Sequence, residues 1–225
     1  MLIGILQTGL APEPLAKTFG EYPDMFAELL AGNGFTFRTY AVVNGAFPDS
    51  VKECDGWLIT GSRHGAYEDH PWIPPLEKFI RDAYAAHVPT VGVCFGHQII
   101  AQAMGGKVEK FAGGWATGAT KYDFDGETVV LNAWHQDQVV TRPASAKVIA
   151  SNDFCANAAL LYDDRILTLQ AHPEYNSPFI KGLVETRGKG VVPEETLDRT
   201  RAHLNDPLDS QPMAAKIAAF FKAKR

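Results

Sequence analysis

Cys94 is one of three cysteines in this 225-residue chain, and it alone stands between glycines, in Val91-Gly92-Val93-Cys94-Phe95-Gly96-His97-Gln98. An apolar run from Val88 to Val93 precedes it, and a helix-like segment from Gln98 to Met104 follows. Glycines at minus two and plus two have the spacing of a nucleophile elbow, a sharp strand-to-helix turn where larger side chains would strike the next strand or the new helix. Such a turn lifts its middle residue above the sheet edge. The free N–H groups and positive dipole end of the helix that begins there favour negative charge. A thiolate so placed can attack a carbonyl carbon, given a nearby base. Cys54 and Cys155 lack these flanks and read as core thiols.

The candidate base lies about 80 residues downstream, in Gln170-Ala171-His172-Pro173-Glu174, after the strand-like run Ile166 to Leu169. Alternate residues of an extended chain share a face, which puts His172 and Glu174 on one side roughly 6.6 Å apart. A carboxylate there can hold the imidazole while its other nitrogen faces a nucleophile. Pro173 has no N–H, so the stretch belongs at a sheet edge or strand end. Taken singly, a buried thiol and a surface His–Glu pair explain these residues as well. Only a fold that brings them together makes them chemistry.

The first half of the chain has the rhythm such a fold needs. Leu2–Gln7, Phe35–Val43 and Trp57–Ile59 read as strands. Met25, Phe26, Leu29 and Leu30, then Leu76, Phe79, Ile80 and Ala83, fall at helical spacing, with Asn33-Gly34 stopping the first helix. This alternation predicts an α/β fold, a mainly parallel sheet flanked by helices. Ligands of such sheets lie beyond the carboxyl ends of the strands, where both Thr60-Gly61-Ser62 and Cys94 fall. After Gly105-Gly106 the pattern turns to hairpins. Lys121–Phe124 and Glu127–Leu131 flank Asp125-Gly126, and Ala158–Tyr162 and Ile166–Gln170 flank Asp163-Asp164, predicting a small antiparallel β patch. Asn176–Pro212 is polar and broken by prolines, with helix-forming sequence at Glu194–Leu204, before an amphipathic helix at Pro212–Phe221 with Met213, Ile217, Phe220 and Phe221 inward.

Composition narrows the class. Hydrophobic residues at 46% and charged residues at 21% describe an ordinary globular protein. A formal net charge of −5 argues against nucleic acid as a partner. Three unpaired cysteines predict a reducing compartment. No signal-peptide start and no apolar run near the roughly 20 residues of a membrane span are present, so the expectation is a cytoplasmic protein with no membrane. The chain lacks Cys-x-x-Cys, His-Glu-x-x-His and Gly-x-x-x-x-Gly-Lys-Ser/Thr, and neither metal nor cofactor is expected.

Gly92, Cys94, Gly96 and Gln98 match, position by position, the Gly-x-Cys-x-Gly-x-Gln motif of the class I glutamine amidotransferases. The chain resembles that family from Met1 to about Tyr175, most closely its GMP synthase-like members. The resemblance implies a flavodoxin-like sheet and a catalytic triad of Cys94, His172 and Glu174 acting on a γ-glutamyl amide through a thioester. It further implies an oxyanion hole formed by the N–H groups of Gly61 and Phe95, and substrate contacts from Gln98, Trp134, His135 and Asp137. Trp134-His135-Gln136-Asp137 resembles a family loop that closes over glutamine, although relatives carry Ser and Gly around that histidine. Gly113 to Gly118 resembles a pocket-lining segment, with Ala116 where relatives often have an acid.

The leaving group is left open. Glutamine would release ammonia to a separate synthetase subunit, whereas a γ-glutamyl peptidase-like hydrolase would cleave a small γ-glutamyl compound unaided. A non-catalytic binding or regulatory protein on the same fold is a third reading. The whole chain, 1–225, reads as one domain with a family-atypical elaboration at about 176–212. Because that segment begins two residues after Glu174, it is expected to lie over or beside the pocket.

Overall fold

Residues 1–224 are described by a computed structural model of the chain. In chain order the elements are β1 (Leu2–Leu6), α1 (Glu13–Phe19), α2 (Tyr22–Leu29), β2 (Thr36–Tyr40), β3 (Gly56–Ile59), α3 (Ile73–Ala85), β4 (Thr90–Val93), α4 (Phe95–Ala103) and β5 (Lys107–Lys110). There follow β6 (Ala116–Phe124), β7 (Glu127–His135), β8 (Asp137–Thr141), β9 (Ala146–Ala150), β10 (Ala159–Tyr162) and β11 (Ile166–Leu169), then α5 (Ser177–Leu183), α6 (Glu194–Ala202) and α7 (Ser210–Lys222). The main sheet has seven strands in the order β2-β1-β3-β4-β11-β10-β9. Its first five strands run parallel and β10 and β9 continue antiparallel. Two antiparallel pairs, β5 with β8 and β6 with β7, stand apart from it.

β3 and β4 are buried without alternation and β1 nearly so, as strands covered on both faces require, while β2 at the sheet edge is largely exposed. Successive side chains divide between two cores. Leu58, Val91 and Val93 join Phe26, Ile217 and Phe221 from α2 and α7. Trp57 and Ile59 join Leu76, Phe79, Ile99 and Ile100 from α3 and α4 on the other face. The expected hairpins form. Asp125 and Gly126 both take positive φ, 49° and 93°, the turn chemistry that joins β6 to β7.

Several boundaries differ from those expected. β2 is shorter, because the chain turns into a 3₁₀ segment at Val42–Asn44. α4 starts at Phe95, directly after Cys94. Trp134 to Asp137 is not a loop: Trp134 and His135 end β7, Asp137 opens β8, and ladder bonds fix their backbones. The segment after Glu174 forms α5, a π-turn at Val184–Gly188 and α6. Phe179, Ile180, Leu183, Val184, Val192 and Leu197 of this segment build a third core with Leu15, Tyr22, Trp134 and Tyr175.

Candidate active site

β4 delivers Cys94 to the carboxyl edge of the sheet in a backbone conformation that L-residues rarely adopt, φ 53° and ψ −103°. What holds it there is local. The Cys94 N–H donates to the Leu169 carbonyl at 2.8 Å, and the Gly96 N–H donates to Thr60 at 3.1 Å. Both flanking glycines are sterically required. A Cβ on Gly92 would lie 2.6 Å from the Gly96 carbonyl oxygen, and one on Gly96 would collide with the carbonyl of Ile59. Strain of this kind costs on the order of 1–3 kcal/mol and persists only where its surroundings enforce it.

His172 comes to Cys94 from beyond β11. The two do not share a regular strand with Glu174, as alternation had suggested. His172 makes a single bridge to Asn132, its N–H donating to the Asn132 carbonyl at 2.8 Å, and Pro173-Glu174 then turns. The turn folds the carboxylate back, so that Glu174 Oε1 lies 2.7 Å from His172 Nδ1. Nδ1 being engaged, Nε2 is the nitrogen left for the Cys94 thiol. Burial opposes a charge on this imidazole, but Glu174 and Cys94 outweigh it and raise its pKa. Tyr175 closes the ring's face, stacked at 3.9 Å and 6°. Sequence reading had missed that residue, for which an aromatic three positions after the histidine was the only signal.

Gly61, just past β3, is the nearest backbone opposite. A Cβ there would stand 3.0 Å from His172 Cε1 and 3.7 Å from the Cys94 Cβ. Neither the Gly61 nor the Phe95 N–H donates to another group among the described residues. Two unspent donors beside a thiol are what an oxyanion needs.

Cys94 opens into a pocket of about 500 Å³, within the roughly 300–1,000 Å³ typical of ligand sites. Gln98, Trp134, His135 and Asp137 all line it. Gln98 spends its amide inward, on the Asp137 carbonyl at 2.8 Å and Gln170 Oε1 at 3.1 Å, and so braces the wall. His135 is buried, with Nδ1 3.3 Å from the Asp137 carbonyl. Asp137 lies near Tyr67 and Lys110; burial raises its carboxyl pKa, with Tyr67 and Lys110 opposing. Tyr67 lines the pocket too, as does Trp115 of the segment Gly113 to Gly118 that resembled a pocket lining, whereas Lys110 was not foreseen there.

Thr186, Arg187, Lys189 and Val191 of the C-terminal segment line the same pocket. Arg187 fastens this wall, donating to Tyr22 Oη at 2.8 Å and to the Leu10 carbonyl at 2.6 Å. Trp134 supports it from beneath, in the core shared with Leu183, Val184 and Leu197. The large residue where a small one was expected is therefore a packing surface for the added wall.

Two buried histidines, His97 behind the site and His135 in its wall, have their charge opposed by burial, and the repulsion of a neighbouring histidine helps to lower each pKa to about 3. An unfolded chain takes up these protons below its ordinary value of about 6.5. Each group therefore stabilises the fold above that value and loses about 1.4 kcal/mol per unit as pH falls toward 3. His172 has the opposite sign, its contribution being present below about 6.5 and lost as pH rises through its elevated folded pKa. In urea titrations between pH 6.5 and 5, His97→Asn should flatten the fall in midpoint by one proton's worth. An unchanged slope would mean that His97 is not held neutral.

Residues 37–179, more than half of the chain, match the family model for glutamine amidotransferase class-I. γ-Glutamyl peptidase 4 of Arabidopsis thaliana is 31% identical over 185 residues, covering 75% of this chain and 74% of that protein. The glutamine-hydrolyzing GMP synthase of Finegoldia magna is 31% identical over 140 residues, 57% of this chain but 26% of that protein. A glutamine amidotransferase structure from Thermotoga maritima superposes with a TM-score of 0.76 at 17% identity, covering 99% and 98% of the two chains.

Proposed function

The chain belongs to the class I glutamine amidotransferase family, and from that premise we propose that it hydrolyses a γ-glutamyl amide through a thioester on Cys94. The observation that carries this reading is the convergence of a strained, pocket-facing thiol, an imidazole with raised pKa and a buried carboxylate 2.7 Å from it. Cys94 thiolate attacks the side-chain carbonyl carbon, and the oxyanion rests on the N–H groups of Gly61 and Phe95. His172 gives its proton to the leaving nitrogen, and the amine departs. It then takes a proton from water, whose oxygen attacks the thioester, and glutamate leaves as the thiolate reforms.

The amino-acid end of the substrate carries an ammonium and a carboxylate. Asp137 supplies an anion to the pocket wall and Lys110 a cation. Asp137→Asn should raise KM about 10- to 100-fold while kcat stays within a few-fold, since the contact is equal in ground and transition states. Steady-state kinetics on one substrate checks this, and an unchanged KM would remove Asp137 from recognition.

The wall from Thr186 to Val191 favours a small γ-glutamyl compound, cleaved without a synthetase, over glutamine alone. It lines the pocket into which Cys94 opens, and the γ-glutamyl peptidase relatives point the same way. The match to GMP synthase favours a second reading, a glutaminase that hands ammonia to a synthetase. Glutamate release by the purified chain from glutamine and from γ-glutamyl dipeptides separates them. Faster turnover of dipeptides supports the first. Turnover only with glutamine, or only with an added synthetase, supports the second, and none under any condition leaves a binding protein. Shortening 177–211 to a brief linker should broaden the leaving groups accepted.

A further inference from the structure

Outside the Cys94 cluster, three side chains of the β3–α3 connection converge: His64, Glu68 and His70. Glu68 Oε2 lies 3.2 Å from His64 Nδ1 and 2.7 Å from His70 Nε2. All three ligand-capable atoms lie within 4.8 Å of one another, the one such group among the described residues. The rings are held from behind. His70 stacks on Trp72 at 5.7 Å and 11°, and His64 meets the same indole at 5.9 Å. Trp72 is buried and packs against Phe95 at 5.5 Å.

We propose that His64, Glu68 and His70 form a binding site for a divalent zinc-class cation at the mouth of the Cys94 pocket. Zinc takes imidazole nitrogen and carboxylate oxygen at about 2.0–2.2 Å in a tetrahedron, which sets ligand atoms about 3.3 Å apart. One observed separation, 3.2 Å, is close to that spacing, the 2.7 Å one is shorter and the third lies within 4.8 Å, and the three side chains are partly exposed and free to adjust. Two imidazoles with one carboxylate select a late first-row metal over magnesium or calcium. Three protein ligands leave a fourth position open. His64 and Glu68 line the pocket, so that position is reached from it. A bound ion would also brace the loop that starts at Gly61 and rests, through Trp72, on Phe95.

The cation site does not depend on the proposed hydrolysis, and it is tested on binding. The Cys94→Ser chain is used, so that the pocket thiol cannot act as a ligand. Zn2+ titrated calorimetrically should bind at one ion per chain, unaffected by excess Mg2+. Co2+ should give visible bands without a thiolate-to-metal absorption. His64→Ala and His70→Ala should each weaken binding more than the roughly 10- to 100-fold that loss of an outer partner costs. Glu68→Gln, which preserves shape, should weaken it too, and His203→Ala should not. No uptake of either metal would overturn the proposal. So would uptake that survives in folded His64→Ala and His70→Ala chains.

Discussion

Cys94→Ser is expected to abolish turnover, lowering kcat on the order of 10⁴-fold or more, as removal of a nucleophile does in enzymes whose site acts as a unit. The hydroxyl fits the same strained elbow, so the urea midpoint should barely move while the rate collapses. Reactivity should divide in the same way. A γ-glutamyl analogue bearing a diazo-ketone is expected to label Cys94 and spare the other two thiols. Cys54 and Cys155 lie in the two cores of the sheet and do not line the pocket. Burial raises the Cys54 thiol and pushes Cys155 up to about 12, which keeps both protonated and inert. Peptide mapping with label on Cys54, and none on Cys94 in folded protein, would remove Cys94 from the chemistry.

His172→Ala should be as severe, since one imidazole serves as both acid and base. The variant also strands Glu174, whose side chain is 1% exposed. A buried charge that loses its partner costs about 3–5 kcal/mol. Rates must therefore be read on the folded fraction. The double variant His172→Ala/Glu174→Gln removes the stranded charge, and it should recover stability without recovering turnover. Glu174→Gln alone should lose on the order of 100-fold less activity than His172→Ala, because orientation and charge are weakened but the base remains. Its pH–rate profile should differ as well. Without the carboxylate, burial dominates at His172 and the folded pKa falls, so the limb of kcat/KM governed by this group moves to lower pH. A Glu174→Gln enzyme with parental rate and profile would show that the carboxylate has no part in the reaction.

What could be read from the sequence was what local sterics or chain periodicity determines. Gly92 and Gly96 announce an elbow because a Cβ at either would meet backbone, and the structure has those contacts. Asp125-Gly126 announces a hairpin because few residue pairs accept two positive φ values. The pairing of His172 with Glu174 was legible from their spacing, but the contact comes from a turn after Pro173 and not from strand alternation. Long-range placement was not legible. Nothing near Tyr67 or Lys110 shows that both will face Asp137, because the pairing of β5 with β8 brings Lys110 there and the β3–α3 connection brings Tyr67. Arg187 reaches the pocket by bonds to Tyr22 and Leu10, partners more than 160 positions away. Trp134 was expected as a substrate contact, and its second role, as a packing surface, appeared only once α5 and α6 were packed on it.

The central claim, that a γ-glutamyl group passes through Cys94, is tested most directly by trapping it. The purified chain is mixed with excess γ-glutamyl dipeptide, quenched in acid within one turnover, digested and mass-mapped. A γ-glutamyl adduct is expected on the peptide that carries Cys94, absent from Cys94→Ser and cleared when the mixture is left to turn over. Glutamate released at full rate with no adduct on that peptide at any quench time, or an adduct on Cys54 or Cys155 instead, would contradict it.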